Sequence, residues 1–216
     1  MGTDNLFWKR KNRSLNRKSG TRGTPPNSIL IVCEGEKTEP NYFIAFSRLI
    51  SSVKVKVEGC GMNTLSLVKR AVEISQKARK SGENYDRVWC VFDKDDNPLD
   101  QFNAALELAG KKNIKTAYSN EAFELWYLLH FHYFNTGISR ADYIKKLSQL
   151  LNSPYEKNSP GMYRDLLDKQ QTAIKNAEKL LKNYEPSNPG KDNPSTTVHQ
   201  LVQELNKELI KFLPNR

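Results

Sequence analysis

The sequence predicts an α/β protein: a mostly parallel four-stranded sheet flanked by helices, followed by an α-helical C-terminal extension. Three observations predict it. Strand-like and helix-like stretches alternate as β-α-β-α-β-α-β-α between residues 28 and 134, the order expected of a sheet with helices on both faces. Two of the strands, "ILIVC" and "WCVF", are continuous apolar runs, as strands covered on both sides require. Beyond about Ser139 the apolar spacing is helical only.

The elements follow in order. Residues 1–27 read as a basic, flexible arm, with Lys9, Arg10, Lys11, Arg13, Arg17, Lys18 and Arg22 set against Asp4, and they close on Gly23-Thr24-Pro25-Pro26. Residues 28–137 form the α/β core. Its first strand, 28–33, leads into a helix whose apolar positions are Tyr42, Phe43, Phe46, Leu49 and Ile50. "VKVKVEG" from Val53 alternates with period two, as a half-buried strand does. Leu65, Val68, Val72, Ser75 and Ala78 mark the second helix, and "YDRVWCVF" is the third strand. Asn97 and Pro98 suit an N-cap and first-turn proline for a helix burying Leu99, Phe102, Leu106 and Ala109. "IKTAYS" is the fourth strand, and "NEAFELWYLLHFHYF" a helix capped by Asn120. Residues 138–216 read as a helical extension packed on the core, with helices at 141–151, 162–181 and 197–213, the last capped by Ser195.

The chain of 216 residues carries 34 Lys+Arg and 24 Asp+Glu, a formal net charge of +10. That excess favours polyanionic partners, nucleic acid first, although basicity alone does not establish them. No stretch is apolar enough to span a bilayer, and the N-terminus has no signal-peptide core, so a membrane partner is not expected and a cytoplasmic location is. Cys33, Cys60 and Cys90 form no CxxC pair; Cys33 and Cys90 are expected inside strands as small buried thiols.

Chemistry is expected at the carboxyl ends of the strands, where open parallel sheets bind ligands. Glu34 follows the first strand, and Asp93-Lys94-Asp95-Asp96 follows the third. Carboxylates gathered in one crevice repel unless a cation neutralises them, and an oxygen-only donor set suits Mg²⁺ or Mn²⁺. The helix starts after Thr38 and Asn97 favour anions, and Lys37 and Lys94 add charge for a phosphate. Acidic residues in such loops also serve as caps and solvated turns, which is the simpler reading for Asp96, Glu36 and Glu39. Glu121 and Glu124 share a helical face near a helix start; Glu124 either reaches the metal pocket or stabilises that start. His130 reads first as a packed core histidine, with Phe123 and Trp126 in the core.

"ILIVCEGEKTEPNYF", "VWCVFDKDD" and "SNEAFELWYLLHF", in this order, resemble the RloB-like family, whose fold is related to the Toprim domain. The resemblance spans roughly residues 29–131, with a weaker echo in "NPSTTVHQLVQEL". It implies a Toprim-like core and a Mg²⁺- or Mn²⁺-dependent nuclease. Carried over, Asp93 and Asp95 hold the metal, and Glu34 ligates it or moves a proton. Lys37, Lys94 and the arm residues Lys9, Arg10, Lys11 and Arg13 would contact phosphate. The family likeness further implies an effector of a bacterial anti-phage system, paired with an ABC-type ATPase; the chain has no GxxxxGK[ST] loop of its own. Two alternatives stay open: a catalytically inert adaptor for nucleic acid or an ATPase, and another Mg²⁺-dependent phosphotransfer enzyme.

Overall fold

The computed structural model describes residues 27–51 and 53–210. The elements are β1 (Ser28–Cys33), α1 (Thr38–Ser47), β2 (Lys54–Gly59), α2 (Thr64–Lys80), β3 (Arg87–Asp93), α3 (Leu99–Lys111), β4 (Lys115–Asn120) and α4 (Glu124–Leu129). There follow α5 (Arg140–Leu151), α6 (Met162–Leu166), a 3₁₀ turn at Leu167–Lys169, α7 (Gln170–Leu181), β5 (Ser195–Thr196) and α8 (Val198–Ile210). The arm lies outside the described residues, including Lys9, Arg10, Lys11 and Arg13.

The sheet has five strands in the order β2-β1-β3-β4-β5, parallel except for β5, which runs antiparallel to β4. The expectation of four strands is therefore corrected. Ser195 is not a helix cap but a sheet residue: Ser119 pairs with Thr196 and Asn120 with Ser195. The Thr196 hydroxyl donates to Tyr118 O at 3.0 Å, and Val198 N donates to Thr196 Oγ1 at 3.3 Å, so Thr196 joins β4 to the start of α8.

Strand alternation divides the core into two layers. Leu30, Val32, Val88, Cys90 and Phe92 face α2 and α3, packing on Leu67, Ala71, Phe102 and Ala105. Ile29, Ile31, Cys33, Trp89 and Val91 face the other way, onto α1, α4 and the helices of the extension. The buried stripe of α2 is Leu67, Val68, Ala71, Ile74 and Ala78, while the expected Leu65 and Val72 lie at its margin. Cys33 and Cys90 are buried in strands, as expected.

Three helices differ from expectation. Asn120 ends β4 instead of capping a helix, and α4 is only six residues, every one buried. A short helix with no polar face suits the middle of the helical layer, where it packs on α5 and α7. Asn97 makes no cap, because its amide turns back to the strand ends. The expected helix over 162–181 is broken by the 3₁₀ turn, at which Leu167 is 42% exposed. Among the described residues no helix is long and apolar enough to cross a membrane.

Candidate functional site

The strand order reverses between β1 and β3: from β1 the chain turns outward to β2, then crosses to β3 on the other side. Such a switch point opens a crevice beyond the carboxyl ends of the two strands. Here it is a cleft of about 860 Å³. Seven carboxylates line it, from Glu34, Glu36, Glu39, Asp93, Asp95, Asp96 and Glu124, against three basic side chains, Lys37, Arg140 and Lys157. A protein of net charge +10 thus concentrates negative charge in one place.

Glu34 sits at the base and ties the two strands together. Its Oε2 accepts from the backbone N–H of Asp93 at 3.0 Å, and its Oε1 from Thr64 Oγ1 at 3.1 Å and Asn97 Nδ2 at 3.4 Å. Burial raises its pKa and the charge of Asp95 adds to the rise, while these hydrogen bonds oppose it.

Asp93 shares the parity of Trp89 and Val91, so its side chain points into the layer of α1, α4 and α5. There it meets Glu39 from α1, Glu124 from α4 and Arg140 from α5. Burial pushes its pKa well up and Glu39 and Glu124 push it further; Arg140 and the Phe123 backbone N–H pull it down. Asp93 Oδ1 is buried without a hydrogen-bond partner. Asp95 stands on a turn with φ +36°, and its Oδ2 lies 2.7 Å from Arg140 Nη2; the same nitrogen is 3.5 Å from Asp93 Oδ2.

Glu39 is buried, and burial followed by the charges of Glu124 and Glu34 raises its pKa. Gly35 makes room for it: a Cβ there would overlap the Glu39 carboxylate. Glu124 is 1% exposed and its Oε1 accepts from the Tyr155 hydroxyl at 3.3 Å. The loop bearing Tyr155 is fastened to α1, with Thr38 Oγ1 donating to Lys157 O at 2.7 Å and Asn41 Nδ2 to Asn158 O at 3.0 Å.

The structure therefore brings Glu34, Asp93, Asp95 and Glu124 into one cleft, with Lys37 exposed on its wall. Lys94 turns to its own loop, donating to Asn97 O at 2.7 Å and Asp95 O at 3.3 Å. His130 lies in the core, Nδ1 bonded to Trp126 O at 2.8 Å. Sequence reasoning missed Arg140 and gave Glu39 only a cap's duty. Glu39 had a signal: it falls three and four residues before Tyr42 and Phe43, on the buried stripe of α1.

A divalent metal fits this site in kind. The donors are carboxylate oxygens, their charge exceeds that of the basic groups beside them, and Asp93 Oδ1 has no partner. Among the described residues, however, no three His, Cys, Asp or Glu side chains close around a single point, and Arg140 spans Asp93 and Asp95.

No curated protein and no solved structure matches the chain. The family model described as RloB-like protein matches residues 29–205, from β1 into α8. The match takes in both strand ends that meet at Glu34 and Asp93 and the helices that bring Glu124 and Arg140 to them, and on it the chain belongs to the RloB-like protein family.

Proposed function

We propose that this protein is a Mg²⁺- or Mn²⁺-dependent nuclease that hydrolyses phosphodiesters in DNA or RNA. One observation carries the reading: Asp93 ends the strand at the switch point with an unpartnered oxygen, among more carboxylates than the cleft has bases to neutralise. Asp93, Asp95 and Glu124 would hold the ion, which supplies Lewis acidity at a phosphoryl oxygen and lowers the pKa of a bound water. Glu34 fixes the separation of the two strand ends. Burial raises its pKa, the direction that makes a carboxylate a better proton acceptor, which suits it to take a proton from water. Lys37 and Lys157 on the cleft wall, with the net charge of +10, favour an anionic polymer. Family resemblance alone supports the further proposal of an anti-phage effector working with an ABC-type ATPase.

A second reading, an inert adaptor, draws support from Arg140, whose ion pairs quench the two aspartates without a metal. Calorimetric titration with Mn²⁺, wild type against Asp95→Asn, separates the two, followed by single- and double-stranded DNA and RNA as substrates. Mn²⁺ binding lost in the variant, and cleavage lost with it, supports the nuclease. Identical titrations, with nucleic acid bound but never cut, leave the adaptor.

A further inference from the structure

We infer that Arg140 is an exchangeable cation: it occupies the oxygens of Asp93 and Asp95 until a divalent ion takes them, then turns to a substrate phosphate. This rests on the metal site proposed above, and names a residue that the strand-end carboxylates do not include.

The geometry points to exchange because one nitrogen, Arg140 Nη2, contacts both aspartates, at 2.7 Å to Asp95 Oδ2 and 3.5 Å to Asp93 Oδ2. Arg140 reaches Oδ2 of Asp93 and leaves Oδ1 of the same carboxylate unpartnered. A guanidinium cannot be deprotonated to make way for a metal, so ion and arginine compete for the same oxygens. Removing one partner of such a pair leaves a half-buried charge that must find another anion.

Two features let Arg140 do so. It is the first residue of α5, behind the Ser139 cap whose hydroxyl accepts from Asp142 N at 3.3 Å, so its backbone is fixed while its side chain, 35% exposed, reaches the cleft. Its Nε is buried with no partner, so the guanidinium is left incompletely bonded while it sits on the two aspartates. A planar guanidinium released from the aspartates can meet two phosphate oxygens at once, as a lysine cannot. The negative groups facing it are Asp93, Asp95 and Glu124. Once an ion takes those three carboxylates, a substrate phosphate drawn to the ion is the anion brought to the released guanidinium.

The test uses full-length protein, Mn²⁺ and a thymidine dinucleotide, each titrated calorimetrically into wild type, Arg140→Gln and Arg140→Lys, with circular dichroism verifying the fold. Arg140→Gln is expected to bind Mn²⁺ about tenfold more tightly than wild type, the size of a typical coupling between two sites. Mn²⁺-loaded wild type is expected to bind the dinucleotide, and loaded Arg140→Gln to lose that binding. Arg140→Lys keeps the charge without the fork and is expected to fall between them on both counts. Mn²⁺ affinity unchanged or weakened in Arg140→Gln overturns the inference while leaving the metal site standing. Dinucleotide binding that survives Arg140→Gln, or that is absent from the loaded wild type, overturns it also. Failure of all three proteins to bind Mn²⁺ brings down the metal site itself, and the inference with it.

Discussion

The carboxylate of Glu34 accepts a hydrogen bond from the backbone N–H of Asp93 at 3.0 Å, so the two acidic strand ends are joined directly. The distance between them does not depend on any bound ion. It follows from β1 and β3 being neighbours in the sheet, with Cys33 opposite Val91 and Glu34 N bonded to Val91 O at 2.8 Å.

Glu34→Ala therefore costs structure as well as chemistry. It strips an acceptor from Asp93 N–H, Thr64 and Asn97 at once, and about 1–3 kcal/mol of stability is expected to be lost. Glu34→Gln keeps one carbonyl oxygen and should lose less. Urea unfolding midpoints of the two variants decide it: equal losses would show that one acceptor oxygen is not enough to keep the contacts, which are shared between both.

Thr196→Val is nearly isosteric and removes a buried hydroxyl that donates to Tyr118 O and accepts from Val198 N. A loss of about 1–3 kcal/mol is expected from the stranded backbone groups. A thermal melt within error of wild type would mean that the Thr196 hydroxyl adds nothing to the junction of β4 and α8.

That strand also marks the limit of what the sequence discloses. The apolar runs of β1 and β3 are legible because both faces of each strand are covered, and their ends announce Glu34 and Asp93. A two-residue strand has no period to detect, and Ser195-Thr196 reads equally well as a helix start. Arg140 is one basic residue in "ISRADY", and its partners lie far back in the chain, so only the fold brings them together. Asn120 fails for another reason: its cap chemistry is correct in isolation, but pairing with Ser195 outweighs it.

Gly35→Ala is expected to be destabilising through Glu39. The added methyl overlaps the Glu39 carboxylate, and overpacking of this kind costs about 1–3 kcal/mol. The double variant Gly35→Ala/Glu39→Ala should recover part of that loss, giving a non-zero coupling in the double-mutant cycle. Additive losses by chemical denaturation would mean that the added methyl does not act through Glu39.

Two buried groups should tilt the pH dependence of stability in opposite directions. Burial lowers the His130 pKa to about 4, so below its unfolded value the unfolded chain binds the extra proton. Its contribution is present above about pH 6.5 and is lost as pH falls toward 4, on the order of 3 kcal/mol in full. Glu39 runs the other way. Its folded pKa is raised, so the folded state holds the proton more tightly, and stability falls as pH rises from the unfolded carboxyl pKa through the folded one. In metal-free protein, the advantage of Glu39→Gln over wild type should therefore be largest at pH 8 and shrink on acidification. That of His130→Leu should grow on acidification, because the variant escapes the proton that unfolds the wild type. Melting temperatures from pH 8 to 5 measure both differences. An advantage of Glu39→Gln that grew toward acid would mean that the Glu39 carboxylate is stabilised by its hydrogen bonds more than burial and its acidic neighbours destabilise it.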